Sequence, residues 1–465
     1  MMRRMNDALR HAAVEARDPR FDGVFYTGVT STGIYCRCVC PARMPKPQNR
    51  RFFASAAAAE REGFRPCLLC RPEAAPGVAP IDRGDRLAGA ALAEIEAGAL
   101  EEEGIEALAE RLGVTSRHLR RVTGEALGAS PIELAQTHRL LTAKRLLTET
   151  DMSATAIAFA AGFQSLRRFN ALFRDRYGIA PSRIRARKAA ARSAGVRLSL
   201  AARGAWSPAA SFAFLAARAL KGVEVVEGLA YRRVLTIKDA TGVIAVESHS
   251  RGVHLTIPDE LAPHLRAIIA RVRRAFDLDC DIDAIDAALG RAGGALAVDV
   301  GIRPGVRLVG GLDAFEIVAR AILGQQVTQS AGRALAEKVA RTFGRPVNFG
   351  EGFDRAFPAP RVIADQAPED IAALGMPLAR ARTLVGAARA YGEPFAITTL
   401  DDIEGLGPWT KAYVRMRALG DPDAVLANDS AVRRALFDAG AEMLAPWRSY
   451  ATMRAWSAPL KGAAV

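Results

Sequence analysis

Nowhere in its 465 residues does this chain hold a run of about 18 apolar side chains, so no segment reads as a membrane-spanning helix. Its first ten residues, MMRRMNDALR, are polar and lack the apolar centre of a secretory signal. Cysteine is scarce: six residues, five of them (Cys36, Cys38, Cys40, Cys67 and Cys70) within 35 positions, and Cys280 far away. A cytoplasmic, reducing location is therefore expected, where such a cluster binds metal or reacts rather than forming disulfides. Acidic charge is also short, 50 Asp and Glu against 64 Lys and Arg, which leaves a net +14. A basic balance of that size favours a polyanionic partner, nucleic acid first, and gives no reason to expect a membrane partner.

What is present divides into five stretches, in keeping with the three or four domains that roughly 100–200 residues per domain allow. Residues 1–75 hold the cysteine cluster, and 76–100 form a linker that opens on a Pro/Gly/Ala stretch and continues into Ala/Glu-rich helix. Residues 101–190 are helical and basic, with 15 Lys and Arg against 5 Asp and Glu in 111–190. Residues 196–285 contain β-rich runs such as YRRVLTI and GVHLTI among helices, and 286–465 are helical again. The expected fold is multidomain and mostly α with α+β parts: a small metal module, an all-α pair of helical units, a small α+β layer and an all-α domain.

The cysteine spacing is Cys36-x3-Cys40, 26 residues, then Cys67-x2-Cys70. Two close pairs joined by a loop can close a tetrahedron of thiolates on one Zn²⁺, and most such sites are purely structural. Around them stand Thr32-Gly33-Ile34-Tyr35-Cys36-Arg37, Cys40-Pro41-Ala42-Arg43 and Gly63-Phe64-Arg65-Pro66-Cys67. Over about 55 residues this pattern resembles the N-terminal domain of the Ada family. The resemblance implies one Zn²⁺ on Cys36, Cys40, Cys67 and Cys70. It also implies a methyl group accepted by Cys36 from a methylphosphotriester in DNA, and a phosphate contact from Arg43. Zinc keeps a thiolate deprotonated, and four thiolates give the site a formal −2 charge that methylation reduces by one, easing its approach to DNA. Cys38, between the first two ligands, departs from the pattern and is expected to be a bystander.

Residues 108–121 (LAERLGVTSRHLRR) repeat at 157–170 (IAFAAGFQSLRRFN), with Gly113 matching Gly162 and Ser116 matching Ser165. Two copies of helix, glycine turn and Ser/Arg-rich helix suggest a duplicated DNA reader rather than a solenoid. Its plain alternative is a pair of structural hairpins with solvated charges. Arg117, Arg120 and Arg121 in the first unit, and Gln164, Arg167 and Arg168 in the second, are the candidate DNA contacts. The stretch resembles the AraC-type DNA-binding domain over about 85 residues, which implies two helix-turn-helix units in successive major grooves.

Further on, Glu404-Gly405-Leu406-Gly407-Pro408-Trp409 places two glycines where a turn between helices can approach a phosphate and offer it backbone N–H groups. Asp429 follows Gly407 by 22 residues, just before a helix-like run, where its ordinary reading is an N-cap. Together the two features resemble the helix-hairpin-helix-GPD glycosylase superfamily. Ordered matches over roughly residues 196–457, among them FLAARA from Phe214, RAILGQQV from Arg320, GPWT from Gly407 and PWRSYA from Pro446, resemble its AlkA-type alkyladenine glycosylases.

That resemblance implies a base-excising enzyme acting on a flipped nucleotide. Asp429 is the implied catalytic carboxylate, stabilising an oxocarbenium-like sugar and assisting water. Trp409, Tyr413 and Trp456 form the base pocket, an electron-rich surface for cationic alkylpurines; read alone, such tryptophans are more simply core residues. Gln326 fills the vacated stack, and Gln325, Gly405 and Gly407 lie along the DNA. Where bifunctional relatives carry a Schiff-base lysine this chain has Trp409, and Lys411 comes two residues too late, so strand cleavage is not expected. No Pro-Cys-His-Arg motif occurs, and O6-alkylguanine transfer is not implied.

The whole reads as DNA-alkylation repair fused to its own regulator, a DNA-3-methyladenine glycosylase that releases bases by hydrolysis, with stoichiometric methylation of Cys36. It needs no organic cofactor. Its partners are double-stranded DNA, both alkylated and promoter sites, and RNA polymerase, and its place is the nucleoid. The alternative is a damage-responsive regulator whose glycosylase fold only binds DNA.

Overall fold

A computed structural model describes residues 5–83, 85–184, 195–350, 352–391, 400, 401, 403–426, 429, 432 and 444–457. Most of the hinge before residue 195 and, apart from Val432, the run after Asp429 lie outside these residues. The described chain is mostly helical with small sheets, and it divides into two compact units. One comprises residues 1–204, 251–270 and 278–281; the other comprises 205–250, 271–277 and 282–465.

The first unit begins with a four-stranded sheet ordered β3-β1-β2-β4, from β1 (Tyr26–Val29), β2 (Ile34–Cys36), β3 (Arg50–Phe53) and β4 (Arg65–Pro66). Parallel pairing of β2 with β4 sets Tyr35 beside Pro66, and the Cys67 N–H donates to the Tyr35 carbonyl at 3.0 Å. Each strand therefore delivers one cysteine to the same end of the sheet. Helix α1 (Ala56–Arg61), capped by the Ser55 hydroxyl, lies against Tyr35, Phe53 and Phe64.

Residues 76–100, expected to open as a linker, carry helix α2 (Arg86–Ala97), whose Ala88, Ala91, Leu92 and Ile95 are buried with residues of the helices that follow. Apolar spacing along α2 makes it part of a core rather than a tether. The repeat then unfolds as α3 (Ile105–Arg111) and α4 (Ser116–Leu127), followed after the long α5 (Pro131–Glu149) by α6 (Ala154–Ala160) and α7 (Leu166–Tyr177). Gly113 and Gly162 take φ of +69° and +87°, so each α–α turn passes through a conformation that side chains with a Cβ rarely adopt. Helix α5 starts with a capping box, Ser130 and Glu133, and with Pro131 at its first position. It packs against both α1 and α2. Strands β5 (Val196–Ala201) and β9 (Gly252–Ile257) pair antiparallel in the same unit, and Arg203 joins Asp82 at 3.1 Å and Asp281 at 2.8 Å.

In the second unit β6 (Glu224–Glu227), β7 (Ala230–Ile237) and β8 (Ala240–His249) form an antiparallel meander. Helix α8 (Pro208–Ala216) precedes it. Helix α9 (Ala314–Leu323) is apolar on nearly every side and is accordingly buried, surrounded by α10 (Gln329–Phe343), α11 (Leu378–Ala390) and α12 (Pro408–Leu419). Helix α13 (Arg448–Ser457) packs against α8.

Candidate functional site

Four sulfurs meet at the end of β2 and β4. The Sγ atoms of Cys36, Cys40, Cys67 and Cys70 all lie within 4.8 Å of one another. Zn–S bonds of about 2.3 Å require tetrahedral edges of about 3.8 Å, so the donor set fits one Zn²⁺. Cys67 and Cys70 are buried, whereas Cys36 and Cys40 are partly open to solvent. Two backbone N–H groups point at the inner pair, Arg37 N at Cys70 Sγ (3.4 Å) and Cys70 N at Cys67 Sγ (3.5 Å). Sulfur-to-sulfur hydrogen bonding pulls the thiol of Cys40 down to about 7 and that of Cys67 lower still, while lifting Cys36 and Cys70; thiols this close share protons until a cation replaces them. The Arg37 guanidinium fixes the loop by pairing with the buried Asp22 and donating to the Cys70 carbonyl at 3.1 Å.

Cys38 stands apart from the quartet. It is buried beside Ala13, Val14 and Phe25, and its thiol donates to the Asp18 carbonyl at 3.3 Å. Burial pushes it up to about 12, so it stays a thiol. Arg43 is exposed.

On the repeat, Thr115 and Ser165 cap α4 and α7 by accepting from His118 N (3.2 Å) and Arg168 N (3.1 Å). Arg117, Arg120, Arg121, Gln164, Arg167 and Arg168 are all exposed on the first turns of these helices or just before them, while Leu119 and Phe169 on the opposite sides are buried. Arg121 pairs with Glu125 at 3.1 Å, an exposed contact weak enough to exchange for a phosphate.

In the second unit an aromatic wall is assembled from three helices. Trp409 and Tyr413 stack on α12 with ring centroids 5.3 Å apart and 18° between planes. Trp456 of α13 tilts against Tyr413 at 5.9 Å and stacks on Phe214 of α8 at 6.3 Å. All three predicted pocket residues thus come together, joined by a fourth. Phe214 belonged to a recognised motif, but nothing local in the sequence tied it to residues 200 positions later.

The wall is also more cationic than the sequence suggested. Arg218 lies 3.6 Å over the Phe214 ring; Arg417 lies 4.7 Å over Phe214 and 5.5 Å over Tyr413, donating to the Tyr413 hydroxyl at 2.7 Å. Burial lowers Arg218 to about 10 and also lowers Arg417. Behind them, Glu224 and Glu316 are taken up by Arg233 and Arg320 at 2.6–3.4 Å.

The hairpin turn before α12 is open at both glycines. Gly405 has φ +86°, and a Cβ there would meet Thr383 Oγ1 at 2.1 Å; Gly407 has open space and caps α12. Gln325 Nε2 spans to the Gly405 carbonyl and the Thr410 hydroxyl, both at 3.2 Å, so it braces the turn. Its neighbour Gln326 is exposed with φ +55°. Asp429 Oδ1 accepts from Val432 N at 3.0 Å, the N-cap contact expected of an Asp before a helix. Lys411 pairs with Asp401 at 3.1 Å.

Comparison with known proteins gives three consecutive family matches: "Metal binding domain of Ada" over residues 9–73, "Helix-turn-helix domain" over 108–187 and "AlkA N-terminal domain" over 197–313. The probable bifunctional transcriptional activator/DNA repair enzyme AlkA of Mycobacterium tuberculosis is 36% identical over 476 residues, covering 96% of this chain and 95% of that one. DNA-3-methyladenine glycosylase 2 of Escherichia coli is 36% identical over 264 residues, 52% of this chain and 90% of its own. The bifunctional transcriptional activator/DNA repair enzyme Ada of E. coli is 36% identical over 160 residues, 34% of this chain and 43% of its own.

Proposed function

This chain belongs to the family of AlkA-type bifunctional transcriptional activators and DNA repair enzymes, and we propose on that premise that it excises alkylated bases from duplex DNA and reports methylation damage to promoters. The observation that carries the repair half is the convergence of Phe214, Trp409, Tyr413 and Trp456 on one aromatic wall.

A flipped base stacks on this wall. Asp429, its carboxylate oriented by the cap to Val432 N, faces the positive charge that develops on the sugar as the C1′–N bond breaks, and guides water to C1′. Gln326, held outward in a left-handed conformation, enters the space the base has left. The open turn at Gly405 and Gly407 takes a DNA phosphate on the first N–H groups of α12. Trp409 stands in the lysine position and Lys411 lies two residues further on, beside Asp401, so this turn presents no amine in the Schiff-base position and the product is an uncut abasic site.

The regulatory half works through Cys36. When bound, Zn²⁺ keeps the four sulfurs as thiolates. Cys36 is partly exposed and receives neither of the N–H···S bonds that temper Cys67 and Cys70. Its sulfur attacks the triester methyl carbon; the S–C bond forms, the O–C bond breaks and the electron pair stays on the phosphate oxygen. Arg43 steadies that phosphate. The methylated module repels DNA less, and α4 and α7 hold promoter major grooves through Arg117, Arg120, Arg121, Gln164, Arg167 and Arg168 while RNA polymerase is recruited. This places the protein in the cytoplasm, at the nucleoid.

The test is release of free 3-methyladenine from methylated duplex by the wild-type chain and by Asp429→Asn. A loss of at least about 100-fold is expected in the variant. Equal release by both overturns the catalytic assignment, and no release by the wild type leaves only DNA binding.

A further inference from the structure

Resting on the glycosylase reading, we propose that the Tyr413 hydroxyl is the proton donor to the departing base when that base is neutral. A cationic alkylpurine leaves as a neutral molecule and needs no proton. A neutral damaged base, such as a deaminated purine, leaves as an anion unless a proton reaches one of its ring nitrogens or carbonyl oxygens.

The charge beside the wall suits the second kind of leaving group. Arg218 and Arg417 lie over Phe214, and Arg417 lies over Tyr413, whereas the nearby acids Glu224 and Glu316 are already paired with Arg233 and Arg320. Guanidiniums at this range repel a cationic base and stabilise negative charge, an effect enlarged by burial. An aromatic surface alone would have been the better trap for cations.

Tyr413 is placed to use that field. Stacking on Trp409 at 5.3 Å and contact with Trp456 at 5.9 Å clamp the ring where a flipped base would lie. Its oxygen accepts from Arg417 Nη1 at 2.7 Å, which leaves the hydroxyl proton to be donated elsewhere. Burial alone would raise this phenol; Arg417 and Arg218, with Arg320 from α9, more than offset it and hold the group below the usual tyrosine value, nearer the range that favours an acid catalyst.

The step balances. As the C1′–N bond breaks, its electron pair goes to the base and the base takes the proton from Tyr413 Oη. The phenolate is held by Arg417 and Arg218. Water adds its oxygen to C1′, and the proton it sheds restores the phenol. The sum is water plus nucleotide to free base plus abasic site.

The experiment is single-turnover release of hypoxanthine (neutral) and 7-methylguanine (cationic) from otherwise identical duplexes by the wild type and Tyr413→Phe, with thermal unfolding to verify the fold. Tyr413→Phe keeps the stacking ring and removes only the hydroxyl, so it should slow hypoxanthine release about 100-fold more than it slows 7-methylguanine release. In the wild type, hypoxanthine release should fall on the alkaline side as the phenol ionises, with no matching fall for 7-methylguanine. Equal slowing of both bases marks Tyr413 as a stacking surface only and overturns the proposal, as does no effect on either. Release of 7-methylguanine but not hypoxanthine by the wild type overturns it too, leaving the glycosylase reading intact; release of neither base overturns both.

Discussion

Tyr35 donates its hydroxyl to Glu60 Oε1 at 3.1 Å, from the strand position immediately before Cys36. Glu60 is 3% exposed and also receives Thr137 Oγ1 of α5 at 2.7 Å and Arg176 of α7 at 3.4 Å. One buried carboxyl thus ties the metal module to two helices of the repeat.

Burial lifts Glu60 to about 7 despite these partners. Because the folded value lies above that of the unfolded chain, the folded state binds the proton more tightly. The resulting stability is complete below about pH 4.5 and fades as pH rises through 7, by roughly 3 kcal/mol. Glu60→Gln removes the titration. Denaturant unfolding of the zinc-loaded protein at pH 5 and pH 8 should show the variant gaining on the wild type by roughly that amount; a gap that stays constant would contradict the coupling.

Lys144 of α5 and Glu73, each with a side chain 1% exposed, pair at 2.5 Å, and Lys144 also donates to the carbonyl of the ligand Cys67 at 3.2 Å. Removing the cation strands a buried carboxylate that, among the described residues, only Arg71 still pairs with. Lys144→Met should cost about 3 kcal/mol in unfolding free energy and weaken zinc retention against a chelator. Unchanged zinc retention would show that the pair does not support the metal loop.

The quartet and the bystander cysteine separate cleanly by metal analysis. Cys38→Ala should keep one zinc per chain, because its sulfur sits among Ala13, Val14 and Phe25. Cys70→Ala should lose it, and stripping zinc from the wild type should unfold the sheet around β2 and β4, read by near-ultraviolet circular dichroism.

At the hairpin, Gly405→Ala should lower stability by about 1–3 kcal/mol, since it combines a left-handed φ with a collision at Thr383. Gly407→Ala meets open space and should stay within about 0.5 kcal/mol in thermal unfolding. Equal effects would mean that the turn is not strained as described.

Much of this architecture was readable where the determinants are local. The cysteine spacing announced a closed metal site, because two short loops suffice to bring four sulfurs together. The duplicated Gly113 and Gly162 turns announced paired helices, because glycine is what a positive φ asks for. Asp429 was read both as a cap and as a catalyst, and its contact to Val432 N realises the cap.

What the sequence hid depends on distant pairing. Nothing near Phe214 says that Arg218 covers its ring, or that Trp456 packs against it. Nothing in the run around Glu60 marks it as buried, and only the fold places Tyr35, Thr137 and Arg176 around it. The Ala/Glu-rich helix within residues 76–100 was legible, but that its Ala88, Ala91, Leu92 and Ile95 join the core of the helices that follow was not.

Helix α5 has a consequence for anyone wishing to transplant the metal module. The same nineteen residues carry Thr137 and Lys144 to the metal module and form the shaft between the two DNA-reading turns. A graft that exchanged the reader for another would take these two side chains with it, leaving buried Glu60 to Tyr35 and buried Glu73 to Arg71. Nor does the portable piece stop at α7, since Arg203 grips Asp82 and Arg266 donates to the Ile95 carbonyl at the end of α2. A working cartridge has to be cut along three-dimensional seams, and its recipe includes two short passages borrowed from much later in the chain.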